Sequence, residues 1–212
     1  DCLSEYTDPE DRRFHSQTNS CWSCGPTLEL RSAAGPAVEG DPLLEAITAL
    51  EQGKIIAIQG IGGFHLAADP RNADTMARMR RDKERERKPF ALMVADRHEA
   101  ERLCRLNEEG WRRLATPASP ILILPVNQGA PSHLKMVSHT GTLGIMLPYT
   151  PLHLLLFHYP DVRISYRHLV MTSGNLKGEP IITEPEEAFR KLVDVADLFL
   201  YHNRRILFRT DD

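Results

Sequence analysis

The sequence lacks any apolar run close to the ~18 residues that cross a membrane, and its amino end has no signal-peptide pattern. It also lacks an excess of basic residues, because 26 Lys and Arg stand against 29 Asp and Glu and the net charge is −3. Binding of nucleic acid through overall charge is therefore not expected. We expect a cytoplasmic protein in which any anion site depends on local clusters of Lys and Arg.

Internal repeats and low-complexity tracts are absent as well, and only four of the 212 residues are cysteine. So few cysteines suit a reducing compartment, where closely spaced thiols indicate a metal site rather than disulfides. With 42% hydrophobic residues, the chain can bury a full core. The sequence predicts one α/β domain with a small appendage.

No catalytic signature built on a nucleophile is present. The sequence has no P-loop, no legible Ser-His-Asp or Cys-His arrangement, and no carboxylate cluster with the spacing of a two-metal site. The chemistry that remains is positioning and charge neutralisation, as in phosphoryl or nucleotidyl transfer.

The first 26 residues are polar and have no periodicity, and they contain three cysteines. Cys21 and Cys24 have the C-x2-C spacing of a zinc knuckle, and Cys2 stands where a four-cysteine pattern has its second ligand. The first ligand would lie upstream of the chain, so we expect residues 1–26 to be the C-terminal half of a zinc-finger module of a longer protein. His15 or a water could complete the tetrahedron. The alternative is three cysteines scattered in a tail.

A Gly/Pro/Ala-rich linker is predicted over residues 27–40, followed by the main domain over residues 41–212. Asp41 and Pro42 predict the start of its first helix. Further helices are expected after Asn72, within 96–115, after the turn that follows residue 146 and over 184–193. Buried strands are expected over 54–59, 90–95, 120–125 and 168–173, with a short strand at the start of LGIMLP and two strand-like pieces around 203–205.

The densest charge lies in residues 78–88, where seven of the eleven residues are basic and the net charge is +4. Such an alternating run is usually a solvated helix face. Here Pro89 ends the helix and an apolar strand follows. Lys83 and Arg85 therefore stand where a helix gives way to a strand, which is a usual ligand position in α/β sheets.

Two turns rich in glycine or polar residues follow predicted strands. The first, at residues 60–65, has three glycines in four positions, which indicates either a backbone that approaches a ligand closely or merely a tight turn. The second contains a Ser-x-Asn sequence. Together with two late arginines, these turns and the basic run predict a polyphosphate site without a P-loop. The candidate residues are Lys83, Arg85, Gly62, Gly63, His65, Ser173, Gly174, Asn175, Arg204 and Arg209.

Five motifs taken in order resemble the YrdC-like domain of HypF, the carbamoyltransferase family that matures nickel–iron hydrogenases. They are GGFHLA, the K-x-R ahead of KPFALM, LGIMLPYTPLH, LVMTSGN-x-x-GEPI and HNRRI-x-x-R-x-DD. The amino-terminal CLSEYTDPEDRRFHSQTNSCWSCGP resembles the second half of that family's zinc-finger region. The resemblance implies a YrdC-like twisted mixed sheet with a concave ligand-binding face, preceded by a small zinc-finger remnant.

The resemblance also implies a function, the synthesis of carbamoyl-adenylate from carbamoyl phosphate and ATP, with Mg²⁺ accompanying the nucleotide and structural Zn²⁺ in the finger. In the family, an acylphosphatase-like domain precedes this segment, and a downstream domain passes the carbamoyl group to a cysteine of the partner HypE. Lys83 and Arg85 would neutralise the phosphates, and Ser173 and Asn175 would hydrogen-bond the adenylate.

Three positions depart from related sequences. Met146 stands where stand-alone YrdC proteins tend to have arginine, and residues 60–63 replace a Pro-Thr-Asp-Thr-type turn; both changes fit the HypF branch. Gln59 stands where HypF proteins often have lysine, which removes one cation from the predicted phosphate site.

Two other functions compete. The first is synthesis of threonylcarbamoyl-adenylate for tRNA modification, from threonine, bicarbonate and ATP, against which the finger and LGIMLPYTPLH weigh. The second is a non-catalytic module that binds double-stranded RNA through residues 78–88 and 204–209, and salt dependence without a need for carbamoyl phosphate would identify it.

Overall fold

An eight-stranded mixed sheet with helices on both faces dominates the computed structural model, which describes residues 2–21, 23–85 and 87–210. The predicted α/β class is therefore confirmed. The positions outside the described residues are Asp1 and Trp22 of the predicted finger, Glu86 of the basic run, and Asp211 and Asp212 at the end of the predicted domain.

The strands follow the order β1-β8-β2-β3-β7-β4-β6-β5 across the sheet. The pairs β2–β8 and β4–β6 are parallel, and the other neighbouring pairs are antiparallel. The strands are β1 (Leu28–Ser32), β2 (Ile56–Gln59), β3 (Phe64–Ala68), β4 (Ala91–Val94), β5 (Leu122–Pro125), β6 (Thr142–Met146), β7 (His168–Ser173) and β8 (Leu198–His202).

Helices connect most of these strands, and a short 3-10 helix spans Ser132–Met136. Within the described residues, no helix is both long and apolar enough to span a bilayer. The α-helices are α1 (Cys2–Thr7), α2 (Pro42–Glu51), α3 (Ala73–Asp82), α4 (Arg97–Leu103), α5 (Glu108–Leu114), α6 (Pro151–Phe157) and α7 (Pro185–Lys191).

Side-chain caps start the two helices that flank the glycine-rich turn. Asp41 Oδ1 accepts hydrogen bonds from the backbone N–H groups of Leu43 and Leu44 at 2.9 and 3.0 Å, and Asn72 Oδ1 accepts one from Thr75 N–H at 3.0 Å. Both caps satisfy N–H groups that have no partner within the helix. The predicted starts of α2 and α3 are confirmed.

The central strands of the sheet are buried on both faces, which explains why they are mostly apolar. Alternate residues such as Ala57, Leu66 and Val170 face one core, with α3, α4 and α7. Their neighbours, including Ala67 and Met171, face a second core with α2 and α6. The two central strands β3 and β7 are therefore held rigidly, and β7 ends at the Ser-x-Asn turn.

Two strands have no counterpart in the sequence-based prediction. β1 lies in the Gly/Pro/Ala-rich segment 27–40, where Leu30 is only 2% exposed and the strand pairs with β8. β3 follows the glycine-rich turn, and its alanines and histidine carry little β-propensity. In the other direction, the predicted strand after residues 203–205 is wrong over the described residues 206–210, which form no strand.

Candidate functional site

The basic run begins on α3 and continues into the turn that follows it. Met76, Met79, Arg80 and Lys83 have the i, i+3, i+4, i+7 spacing of one helix face, and all four are buried. Arg80 and Lys83 are each only 9% exposed. The run is therefore not a uniformly solvated helix face, and the spacing from Met76 is the signal that could have identified its two inward cations.

Lys83 connects the end of α3 to the end of β7. Its Nζ donates to the carbonyl oxygen of Ser173 at 2.6 Å, to the carbonyl oxygen of Asn175 at 2.9 Å and to Asn175 Oδ1 at 2.9 Å. An ammonium group has three N–H donors, so these three acceptors can take all of them. The structure brings together two residue pairs that lie 90 positions apart.

The Ser-x-Asn turn is fixed from several sides. Ser173 Oγ donates to Asn175 Oδ1 at 2.9 Å, and Asn175 Nδ2 donates to the carbonyl oxygen of Glu179 at 2.7 Å. Between them, Gly174 packs so closely on β3 that a β-carbon would lie 2.6 Å from the carbonyl oxygen of Phe64. Only glycine fits at that position. We call Lys83, Ser173 and Asn175 the Lys83 network.

Arg85 lies beside this network. Its Nη1 donates to Thr172 Oγ1 at 2.8 Å and its Nη2 donates to the carbonyl oxygen of Pro89 at 2.6 Å. The guanidinium also lies 5.0 Å from the ring centre of Phe90. Burial, and then the nearby charge of Arg80, lower the pKa of Arg85. A half-buried guanidinium with a second cation close by is a favourable neighbour for an anion.

Arg80 holds the turn that carries Arg85, and Arg80 is not among the predicted site residues. Its guanidinium donates to the carbonyl oxygens of Arg85 at 2.9 Å, Met136 at 2.6 Å and Val137 at 2.9 Å. It also lies 4.7 Å from the ring centre of Phe90. Buried carbonyl groups need such partners, so Arg80 ties the turn after α3 to the 3-10 helix.

A groove with a cavity volume of about 460 Å³ opens next to Arg85 and Ser173. This volume lies in the range of small-molecule sites. Its lining is polar and apolar in similar measure, and its polar groups include those at the end of β7 and in the turn that follows. The lining residues include Arg85, Ala91, Ile121, Ile123, Ser173 and Asn175.

The glycine-rich turn connects β2 and β3 and contacts the chain itself. Gly60 N–H donates to the carbonyl oxygen of Gly63 at 2.8 Å, which closes a tight turn. A β-carbon at Gly63 would lie 2.7 Å from the side chain of Ile181, and the carbonyl oxygen of Gly62 accepts from Thr210 N–H at 3.1 Å. The glycines form a tight turn, and the approach of a ligand to Gly62 and Gly63 stays a prediction.

The remaining predicted residues are spread around the site. His65 lies on β3 directly opposite Ser173 of β7. Arg204 and Arg209 are exposed in the segment after β8. Gln59 is buried, and its side-chain amide donates to the carbonyl oxygen of Thr183 at 3.2 Å and accepts from His202 N–H at 2.9 Å. Gln59 therefore connects three segments of the fold instead of offering a phosphate contact.

The cysteine cluster of Cys2, Cys21 and Cys24 lies in the first part of the chain. Cys24 Sγ is 3.4 Å from Cys2 Sγ and 3.8 Å from Cys21 Sγ, and the three sulfurs all lie within 4.8 Å of one another. Sulfurs that bind one zinc ion at ~2.3 Å lie ~3.8 Å apart, so the cluster fits a zinc site. Backbone N–H groups, chiefly that of Ser23, lower the pKa of Cys21 to about 6, which favours the thiolate that a metal needs.

Comparison with protein families gives two matches. The family model Sua5–YciO–YrdC, described as "Telomere recombination", matches residues 48–212. A second model, described as "HypF finger", matches residues 1–31. The two models together cover the predicted finger and nearly all of the sheet.

Individual relatives agree with these matches. The carbamoyltransferase HypF of Rhodobacter capsulatus is 44% identical over 212 residues, which is 100% of this chain and 27% of that protein. A crystal structure of full-length HypF in the phosphate- and nucleotide-bound form is 42% identical, with a TM-score of 0.87 over 100% of this chain and 27% of that one. The crystal structure of T. kodakarensis HypF is 39% identical, with a TM-score of 0.88 over the same shares. This chain thus spans about a quarter of the length of these relatives.

Proposed function

The chain belongs to the Sua5–YciO–YrdC family, in a form that carries a HypF finger, and from this premise we propose that it is the carbamoyl-adenylate-forming part of a carbamoyltransferase. Its substrates would be carbamoyl phosphate and MgATP. In the longer protein, the carbamoyl group would pass through a downstream domain to HypE.

One observation carries the proposal, the convergence of the Lys83 network and Arg85 beside a groove that has both polar and apolar walls. A nucleotide has the matching form, with a flat base at one end and charged phosphates at the other. Ala91, Ile121 and Ile123 offer apolar surface for the base, and Arg85 lies where the phosphates would be. Solved structures of related proteins include a nucleotide-bound HypF.

The reaction has two attacking groups, water and a carbamate oxygen, and two leaving groups, phosphate and pyrophosphate. Water releases inorganic phosphate from carbamoyl phosphate and leaves carbamate, an amino group joined to a carboxylate. A carbamate oxygen then attacks the α-phosphorus of ATP, a new C–O–P linkage forms, and the bond to pyrophosphate breaks. The products are carbamoyl-adenylate, pyrophosphate and phosphate. Negative charge accumulates on the departing pyrophosphate, where cationic groups stabilise the transition state most.

The contacts indicate different roles for the two cationic side chains. Arg85 keeps part of its guanidinium beside the groove and is suited to a direct phosphate contact. Lys83 already donates to three acceptors of the Ser-x-Asn turn. Its contribution is to hold Ser173 and Asn175 in place and to supply positive charge from behind, and a direct phosphate contact would require it to exchange one of these partners.

In the finger, Cys2, Cys21 and Cys24 would hold a zinc ion. Its role would be structural, because it would link α1 to the C-x2-C turn. The mutual sulfur distances support this assignment. The zinc ion would take no part in the adenylation step.

The RNA-binding alternative has less support. Of the seven basic residues in 78–88, Arg78 pairs with Asp197, and Arg80 and Lys83 are buried. A backbone-binding surface needs its cations exposed. The tRNA-modification alternative shares the fold, but the finger match and the similarity to HypF proteins favour the carbamoyl branch.

Exchange of labelled pyrophosphate into ATP tests the proposal. We expect this chain to catalyse exchange when carbamate is supplied, either from carbamoyl phosphate or from ammonium and bicarbonate. Exchange that requires threonine together with bicarbonate would instead identify the tRNA-modification function. Absence of exchange with all of these substrates, combined with salt-sensitive binding of double-stranded RNA, would overturn the proposal in favour of the RNA-binding module.

A further inference from the structure

Next to Ser173, on the same face of the sheet, lies a group of polar rings that includes the predicted site residue His65. In the antiparallel pair β3–β7, His65 is directly opposite Ser173, and residues so paired project from one face. The His65 ring centre is 6.3 Å from that of His153 and 6.4 Å from that of Tyr149. We call His65, Tyr149 and His153 the ring cluster.

His153 is the unusual member. It is 0% exposed, and within the described part of the chain neither of its ring nitrogens has a hydrogen-bond partner. Buried polar groups are nearly always hydrogen-bonded. A fully buried imidazole with both nitrogens unmatched is therefore costly to keep, and a bound polar group that matches them would explain it.

The protonation state of His153 defines what it can bind. Burial, and then the charge of His65, lower the pKa of His153 to about 3. The ring is therefore neutral at physiological pH, with one nitrogen that donates and one that accepts. A neutral imidazole suits a small group that itself carries both a carbonyl-type acceptor and an N–H donor.

The chain holds this ring in a defined place. Thr150 caps α6, because its Oγ1 accepts a hydrogen bond from the backbone N–H of His153 at 3.1 Å. Tyr149 and His153 are four positions apart, and their ring centres lie 4.5 Å from each other. Tyr149 and His65 are only partly buried, so the cluster reaches from the partly open edge near Ser173 to the interior. These residues belong to the motifs LGIMLPYTPLH and GGFHLA. The nucleotide contacts proposed above give the polar rings of these motifs no role.

Resting on the function proposed above, we propose that His65, Tyr149 and His153 form the subsite for the carbamate group, next to the nucleotide groove. Carbamate offers two carboxylate oxygens that accept and an amino group that donates, which match the mixed donors and acceptors of two imidazoles and a phenol. Its attacking oxygen would face Ser173, where the α-phosphate of ATP arrives. No bond is made or broken by the ring cluster itself, so these are positioning residues.

The substitution His153→Leu separates this role from a structural one. Leucine is apolar and of similar size, so it fills the site without an unmatched nitrogen and should leave the melting temperature unchanged or raised. If His153 binds carbamate, the KM for carbamate in the exchange assay rises about tenfold or more, as expected for the loss of one or two hydrogen bonds. The affinity for a non-hydrolysable ATP analogue stays within about twofold of the wild-type value.

The matched control is His158→Leu, which changes an exposed histidine at the end of the same helix and should leave both constants unchanged. Partial recovery of the carbamate KM by His153→Gln, which restores one donor and one acceptor, would support the assignment. A wild-type KM in His153→Leu would overturn it and would mean that water satisfies the ring.

A binding measurement tests the carbamate subsite independently of the proposed reaction. Carbamate, generated from ammonium and bicarbonate, is added to the wild-type chain with the ATP analogue present, and the histidine ring resonances are followed by NMR. Shifts of the His65 and His153 resonances in the wild-type chain, with the His65 shift lost in His153→Leu, support the subsite even where no pyrophosphate exchange occurs. Ring resonances that do not move up to the solubility limit of the salt refute it.

Discussion

The cysteine cluster and the Lys83 network are both groups of three residues, but they are held together in different ways. The cysteine cluster joins residues at most 22 positions apart, and the helix that carries Cys2 has no buried residue. The Lys83 network joins residues 90 and 92 positions apart, on elements that belong to two buried cores. The first is ordered by its sulfurs and by polar contacts near the surface, such as those of Glu5 with Arg13 and Asn19, whereas the second inherits its geometry from a packed sheet.

This difference indicates which interactions stabilise each part of the molecule. A segment that buries few apolar side chains cannot offset the entropy of ordering its backbone, so a metal has to do so. A site on central strands needs no ligand to be formed. The stability of each region should therefore change independently of the other when metal, charge or pH is changed.

Removal of zinc should have the largest effect, confined to the finger. Complete structural zinc sites contribute ~10–16 kcal/mol to folding, and a site with three protein thiols is expected to contribute less. We expect one zinc ion per chain, and we expect chelation to abolish protection from hydrogen exchange in residues 2–21 while β3 and β7 keep theirs. Hydrogen exchange read by mass spectrometry, together with metal analysis, measures both.

The paired variants for this test are Cys21→Ser and Cys104→Ala. The first removes a zinc ligand, whereas Cys104 is buried in the sheet core, away from the cluster. Zinc content should fall only in Cys21→Ser, and sheet stability should fall only in Cys104→Ala. Loss of protection in β7 after chelation would contradict the separation of the two regions.

The sequence predicted the cysteine cluster well because its information is local. A C-x2-C pair and one further cysteine define the ligands by spacing alone, and the sulfurs are found within 4.8 Å of one another. The same holds for α2 and α3, whose caps Asp41 and Asn72 precede apolar stripes. Short-range rules of this kind need no knowledge of the fold.

The Lys83 network was predictable only in part. Motif resemblance predicted that Lys83 and Ser173 would share a site, but not that Lys83 would donate to the Ser-x-Asn turn itself. That arrangement depends on where β7 lies in the sheet, which the antiparallel pairing with β3 and β4 determines. His153 gave no signal, because a histidine in an apolar helix is indistinguishable from a hydrogen-bonded core histidine.

Replacement of Lys83 by alanine should have the next largest effect. It removes a buried cation and takes this donor away from two backbone carbonyl groups of the Ser-x-Asn turn, at a cost of about 1.5–3 kcal/mol. We expect pyrophosphate exchange to fall roughly ten- to two-hundred-fold. Zinc content and protection of residues 2–21 should be unchanged, because the finger has no part in this network.

Arg87→Ala is the control for charge in the same run, since Arg87 is exposed and exposed charges contribute little. It should leave exchange close to the wild-type rate. Equal losses in Lys83→Ala and Arg87→Ala would mean that the run acts as a diffuse basic surface, which is the behaviour of the RNA-binding alternative. No loss in Lys83→Ala would mean that the site lies elsewhere.

Acid should weaken the sheet by a smaller amount, and His153 should account for much of it. In the folded chain the pKa of His153 is lowered, by burial and then by the charge of His65, to about 3, whereas an unfolded histidine titrates near ~6.5. Protonation therefore favours the unfolded state. The stability that depends on neutral His153 is fully present above about pH 6.5 and is lost as the pH falls towards 3, by at most about 1.4 kcal/mol per pH unit.

Between about pH 7 and about pH 5 this loss amounts to about 2 kcal/mol, and His153→Leu should abolish it while His158→Leu keeps it. Burial, and then the charge of His168, lower the pKa of His133 in the same direction, so a smaller slope should persist in His153→Leu. Urea unfolding monitored by hydrogen exchange in β3 and β7 isolates the sheet from the loss of zinc that acid causes in the finger. An unchanged pH slope in His153→Leu would mean that a partner offsets the cost of charging this ring, and the acid sensitivity of the sheet would then come from other groups.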